Sequence, residues 1–166
     1  MGNFVFLDWI QISLIVVLVY LAYFDFRTFR LPDVITLPLI LLGLLFNGLS
    51  NERLISFQDS IIGAILGYAC LWLLNILYRI VKKQDGIGMG DAKLLAALGA
   101  WLGWFALPSI LLIASLTGLI GGIIWLQWNK QNHRSAFPFG PFLAIAGIIE
   151  LLWPQTLQFL LLSKLV

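Results

Sequence analysis

The chain has 166 residues, of which 61% are hydrophobic and 11% charged. Its mean hydropathy of +0.98 excludes a soluble domain clothed in polar side chains. A hydrocarbon core about 30 Å thick takes roughly 20 apolar residues per helical span, so the length allows about six short helices and no sizeable soluble domain. With 10 Lys and Arg against 8 Asp and Glu and no polybasic run, a nucleic-acid surface is excluded as well. One cysteine, Cys70, and one histidine, His133, leave no internal disulfide and no dedicated Cys/His metal site. Any chemistry must then come from carboxylates, with no metal and no cofactor expected.

The first helix is expected over residues 7–25, where the apolar run from Ile15 to Leu21 closes in Asp25-Phe26-Arg27-Thr28-Phe29-Arg30. No basic residue precedes that run and no small-residue cleavage site follows it, so the segment is expected to be retained rather than removed as a secretory signal. Pro32 favours a helix start and opens the second helix, 33–49, before the polar loop Ser50-Asn51-Glu52-Arg53. The third helix, 60–80, leads into Gly86-Ile87-Gly88-Met89-Gly90, which cannot be helical throughout. The fourth covers 91–107, and Pro108 opens the fifth, 108–128. The sixth covers 138–160, with Pro154 kinking or ending it. The expected architecture is an all-α integral membrane protein of six transmembrane helices, forming one membrane-embedded domain over residues 1–166.

Six spans alternate sides. Arg27, Arg30, Arg79, Lys82, Lys83, Lys93, Lys130 and Arg134 all fall in or beside the loops after helices 1, 3 and 5, and Arg53 and Lys164 fall opposite. This asymmetry predicts that those three loops are cytoplasmic and that both termini face the other side. Trp9, Trp101, Trp104, Trp128 and Trp153 lie near predicted helix ends, as interfacial anchors do. The pairs Gly63/Gly67, Gly99/Gly103 and Gly118/Gly122 are expected to let helices 3, 4 and 5 pack closely.

A charged side chain at membrane depth costs roughly 2.5–3.5 kcal/mol on insertion scales, so acids in or beside a span are functional candidates. Asp25 ends helix 1, Asp33 opens helix 2, Asp91 opens helix 4, and Glu150 lies inside helix 6. Asp33 and Asp91 each have an ordinary role available, accepting hydrogen bonds from the free N–H groups of a helix start. Asp25 has none: the C-terminal end of a helix disfavours an anion, so it needs a partner or a proton. Two carboxylates within hydrogen-bond reach share one proton, leaving one as base and one as acid. That is the equipment of aspartic proteolysis: the ionised acid takes a proton from the attacking water, and the protonated one donates to the scissile carbonyl and then to the leaving amine. In this reading Gly88 and Gly90 let the backbone approach an extended substrate and adopt angles that other residues avoid.

These residues resemble the bacterial type IV prepilin peptidases, the leader peptidases of type IV pili and type II secretion, which are GxGD-type intramembrane aspartic proteases. The resemblance rests on Asp25 to Asp33 with Thr36-Leu37-Pro38, on Gly86-Ile87-Gly88-Met89-Gly90-Asp91-Ala92-Lys93 and its continuation to Trp104, and on Pro138-Phe139-Gly140-Pro141-Phe142-Leu143. It implies that Asp25 and Asp91 are the catalytic pair. The implied substrate is a prepilin or pseudopilin, cut after the glycine of its short basic leader at the cytoplasmic face of the bacterial inner membrane. Asp33 matches the motif's third aspartate and is assigned to structure or substrate contact. Lys93 is expected either to hydrogen-bond a nearby carboxylate or to snorkel to the interface. Bifunctional members also carry a cytoplasmic region with paired, zinc-binding cysteines and methylate the new N-terminus. Only residues 1–6 precede the first expected span here, so this resembles the short form, with methyltransferase activity doubtful. The resemblance leaves the oligomeric state open.

Glu150 is expected to be a structural acid hydrogen-bonded inside the bundle, the alternative being contact with a substrate helix. His133, beside Arg134, is expected to be solvated. A non-catalytic transporter or assembly subunit is the competing reading, and it requires acids facing one another at mid-membrane. A dinucleotide-binding loop at Gly86 to Gly90 is disfavoured because a helix, not a strand, precedes it and the third glycine is misplaced.

Overall fold

A computed structural model describes residues 2–50, 54–83, 88–129 and 138–154. The described residues form six α-helices and no strand: α1 (Gly2–Thr28), α2 (Asp33–Leu49), α3 (Phe57–Lys82), α4 (Met89–Leu102), α5 (Leu107–Asn129) and α6 (Gly140–Leu152), with a 3-10 turn at Trp104–Ala106. Three segments, Leu7–Thr28, Phe57–Lys82 and Trp104–Ile124, are long and apolar enough to cross a membrane, with hydropathies of 1.9, 2.0 and 2.1. The other helices have 17, 14 and 13 residues. At 1.5 Å per residue they measure about 20–26 Å, short of a hydrocarbon core of about 30 Å.

The polarity is that of a protein solvated by lipid. Large apolar side chains such as Val16, Leu41, Leu73 and Leu119 are exposed, whereas Asp25, Thr36, Asn47, Ser60, Asp91, Ser109 and Glu150 are buried. Helix α4 is the centre. Every residue from Leu94 to Trp101 is buried, with α3 and α2 packed on it, while α6 lies between α4 and the pair α1 and α5. A Cβ at Gly63 would collide with the Gly99 carbonyl, and one at Gly67 would stand 2.6 Å from the Leu95 carbonyl oxygen. The expected close packing of small residues is therefore a backbone contact between α3 and α4.

Helix ends explain where the boundaries differ from the sequence expectation. Helix α3 opens at Phe57 rather than Ser60, because the Ser56 hydroxyl accepts a hydrogen bond from the Asp59 N–H and donates to Asp59 Oδ2 at 2.6 Å. Helix α4 stops at Leu102 rather than 107, because Gly103 turns the chain in the left-handed region at φ +84°. The Ala100 carbonyl, left without a partner in the last turn, accepts from Asn47 Nδ2 at 3.0 Å and from the Ser60 hydroxyl. Asn47 Oδ1 accepts in turn from the N–H groups of Leu54 and Ile55.

Trp101 departs from the expected interfacial anchor. It is buried, stacks on Phe46 and donates from Nε1 to the Leu39 carbonyl at 2.9 Å. Trp104 Nε1 donates to Asp59 Oδ1 at 3.0 Å. An indole needs a partner for its N–H when buried, and helix packing supplies one here. Trp9 and Trp153 are exposed, as anchors are. The side chain of Trp128, together with Lys130, His133 and Arg134, lies outside the described residues.

Candidate active site

Helix α1 runs past Asp25 to Thr28, so Asp25 lies one turn inside the helix rather than at its last residue. Its side chain is 5% exposed and turns towards the first turn of α6, where the Gly140 N–H donates to its carboxylate. This is the partner that an acid near a helix C-terminus requires, supplied by another helix's N-terminal end. Asp91 is 9% exposed and sits in the first turn of α4, its N–H donating to the Gly88 carbonyl at 3.1 Å. The charge of Asp25 acts on Asp91. The fold thus brings together two buried carboxylates from helices far apart in sequence, on α1 and α4.

The two motif glycines have ordinary backbone angles. Gly88 is extended (φ −65°, ψ 131°), and among the described residues the only glycine with positive φ is Gly103. The conformational freedom expected of Gly88 and Gly90 is therefore not what the fold uses. At Gly90 the reason is space, because a Cβ there would stand 2.9 Å from Leu31 Cβ. The linker between α1 and α2 lies on the start of α4 at that point. At Gly88 a Cβ would make only ordinary contact with Asp91 Oδ2, at 3.4 Å. Residues 84–87 of the glycine-rich segment are outside the described residues.

Asp33 and Lys93 are a pair. Pro32 is the N-cap of α2, which has no side-chain cap, and the Asp33 carboxylate instead meets Lys93 Nζ at 2.6 Å. The tie joins the start of α2 to α4 two residues beyond Asp91. With Asp33 more than half exposed, the pair should contribute about 0.2–1 kcal/mol. A double-mutant cycle of Lys93→Met and Asp33→Asn, read by thermal unfolding in detergent, should return a coupling in that range. A coupling of zero would show that the pair contributes nothing. Glu150 is buried on α6, with the Ser109 hydroxyl donating to Oε2 at 2.6 Å. Among the described residues no group of three His, Cys, Asp or Glu side chains is arranged to hold a metal ion.

The sequence reading missed the part played by Gly140, whose motif it matched without assigning a role. It also missed Asn47 and Ser60, buried polar residues on otherwise apolar helices. A polar residue on a helix of that kind is the signal that could have marked them.

Fold and site together define a polytopic, all-helical membrane protein with two buried carboxylates set against glycines. A family model described as the type IV leader peptidase family matches residues 12–123, and the chain belongs to that family. Three similar curated proteins are named prepilin leader peptidase/N-methyltransferase. That of Aeromonas hydrophila is 48% identical over 141 residues, covering 85% of this chain and 48% of the relative. That of Pseudomonas aeruginosa is 47% identical over 123 residues, covering 74% and 42%. That of Legionella pneumophila is 40% identical over 141 residues, covering 85% and 48%. The chain thus spans about half the length of the curated relatives it matches. No solved structure matches it.

Proposed function

We propose that this protein is an intramembrane aspartic endopeptidase that removes the short basic leader from prepilins or pseudopilins, cutting after the leader glycine. The observation that carries the reading is the meeting of Asp25 and Asp91, both buried and within reach of each other's charge, in a chain of the type IV leader peptidase family. Like charges that act on each other in a buried site favour a single proton between them. The ionised carboxylate takes a proton from water as its oxygen bonds to the scissile carbonyl carbon. The protonated carboxyl donates to the carbonyl oxygen, and on collapse a proton passes to the departing amine as the C–N bond breaks. No covalent enzyme intermediate is involved.

In this reading all six helices enter the bilayer of the bacterial inner membrane. The basic loops face the cytoplasm and both termini the periplasm, which presents Asp25, Asp33 and Asp91 to a leader that stays cytoplasmic. Gly88, Gly90, Asp33 and Lys93 support the site without taking part in the proton transfers.

The test is to incubate purified protein in detergent or liposomes with a prepilin-type substrate and weigh the products. Cleavage after the leader glycine is expected, with a rate that peaks or plateaus at mildly acidic to neutral pH, as one proton shared by two acids dictates. A rate that climbs without limit to about pH 10 would remove the dyad, since a pair that needs one proton fails when it loses both. A folded wild type that cleaves nothing would turn attention to the non-catalytic reading. Extra mass equal to one methyl group, appearing with S-adenosylmethionine, would restore the methyltransferase activity doubted from the sequence.

A further inference from the structure

The Pro138-Phe139-Gly140-Pro141 segment matches a family motif but has no part in the proton transfers above. Its geometry is specific. Phe139 is the N-cap of α6, and its carbonyl accepts from the N–H groups of Phe142 and Leu143, at 3.1 and 3.2 Å. Pro141 has no N–H to offer. The Gly140 N–H is therefore the donor of that first turn left to point outwards, and it goes to the Asp25 carboxylate. Gly140 also has no room for a side chain: an added Cβ would stand 2.6 Å from Asp25 Oδ2 and 3.0 Å from Asp25 Cγ. Carboxylate and glycine backbone are thus in direct contact. Phe139 anchors the turn from the other side, packing where a Cβ at Gly118 on α5 would stand 3.3 Å from its ring.

We propose that Gly140 is a positioning residue for the reaction: its bare Cα lets the Asp25 carboxylate seat on its N–H, at the first turn of α6, and this contact aims Asp25 at Asp91. Proline at 141 completes the device by presetting the helix turn and leaving no second donor beside the first. The inference rests on the peptidase reading of Asp25. It adds a third helix to a site that the two aspartates alone would assign to α1 and α4.

Two measurements test it. Gly140→Ala forces the carboxylate off its seat, and displacement of a reacting group by about 1 Å costs on the order of 10²-fold in rate. The expected result is a fall of that order in kcat with KM unchanged, because the added methyl group displaces a reacting carboxylate and acts on the transition state rather than on ground-state binding. Gly147→Ala is the control for packing on the same helix. It places a Cβ against the Leu98 side chain, away from Asp25, and should keep the wild-type kcat. The contact itself is tested without activity, by the Asp25→Cys/Gly140→Cys double variant in a Cys70→Ser background. A Cβ at 140 stands 3.3 Å from Asp25 Cβ, close to the roughly 3.5–4.5 Å that a disulfide spans. Oxidation should link α1 to α6 and retain the bond on mass analysis of the folded protein.

No disulfide would overturn the contact, and a disulfide with wild-type kcat in Gly140→Ala would overturn the positioning role. A fall in kcat equally deep in Gly147→Ala would reduce the effect to packing, which also overturns it. An inactive wild type, with the disulfide still formed in the double-cysteine variant, would bring down the peptidase reading, and the role of Gly140 with it.

Discussion

Asp25→Asn and Asp91→Asn should each abolish leader removal while leaving the protein folded. Asparagine keeps the size and an accepting oxygen, so at position 25 it can still take the hydrogen bond from Gly140, but it can neither accept nor give up a proton at working pH. Acid–base participation contributes roughly 10²–10⁴-fold in rate, and both partners of a dyad are needed in every cycle, so each single variant should lose at least that much. The double variant should be no worse than either single one, because groups that act as a unit are not additive. Stability should move the other way. Two buried acids that act on each other's charge are a strain that one amide relieves, so either variant should unfold at the same temperature as wild type or higher. A wild-type rate in either variant would remove that residue from the pair, and a loss of activity that tracks a loss of fold would remove the test's meaning for it.

Gly99→Ala should be the most destabilising single methyl group in the bundle. On α4 its Cβ would run into the Gly63 carbonyl of α3, and the reverse holds for Gly63 against the Gly99 carbonyl. Backbone meets backbone at this point, so no flexible side chain can give way and the helices must separate. Overpacking of this kind costs about 1–3 kcal/mol and more where nothing can shift. Because α4 carries Asp91 into the site, cleavage should fall along with the unfolding temperature. The contrast is Gly48→Ala, where the added Cβ meets the Phe57 ring at 2.9 Å, a side chain that can turn aside, so the loss should be smaller. Once Gly99→Ala has parted the helices, Gly63→Ala should add less than it costs alone, as neighbouring sites do. Equal and additive costs at all three glycines would show that α3 and α4 do not pack through their backbones.

Much of this was legible in the chain because a membrane imposes few and blunt rules. Apolar runs of limited length, interrupted by proline, glycine and charge, mark helices whatever their neighbours are. Acids beside such runs stand out because they are costly there, which is how Asp25, Asp33, Asp91 and Glu150 came to notice. The extended blocks around Asp25 and Asp91 pointed to the family to which the chain belongs. Helix ends were less legible where a side chain or a left-handed glycine decided them, as Ser56 and Gly103 do.

What the sequence could not supply was the identity of partners across helices. It marked Asp25 as an acid in need of a partner or a proton, and only the packing of α1 on α6 supplied a partner, the Gly140 N–H. It paired neither Lys93 with Asp33 nor Trp101 with the Leu39 carbonyl, and it read that tryptophan as facing the interface. It also expected unusual backbone angles at Gly90, where the fold has none and uses the residue's small size against Leu31. The reason is physical. Span, polarity and local propensity are properties of a segment and are written in consecutive residues. Close approach, hydrogen-bond partnership and the meeting of two carboxylates depend on which faces of separate helices come together, and in this protein that is set by where glycines let backbones touch.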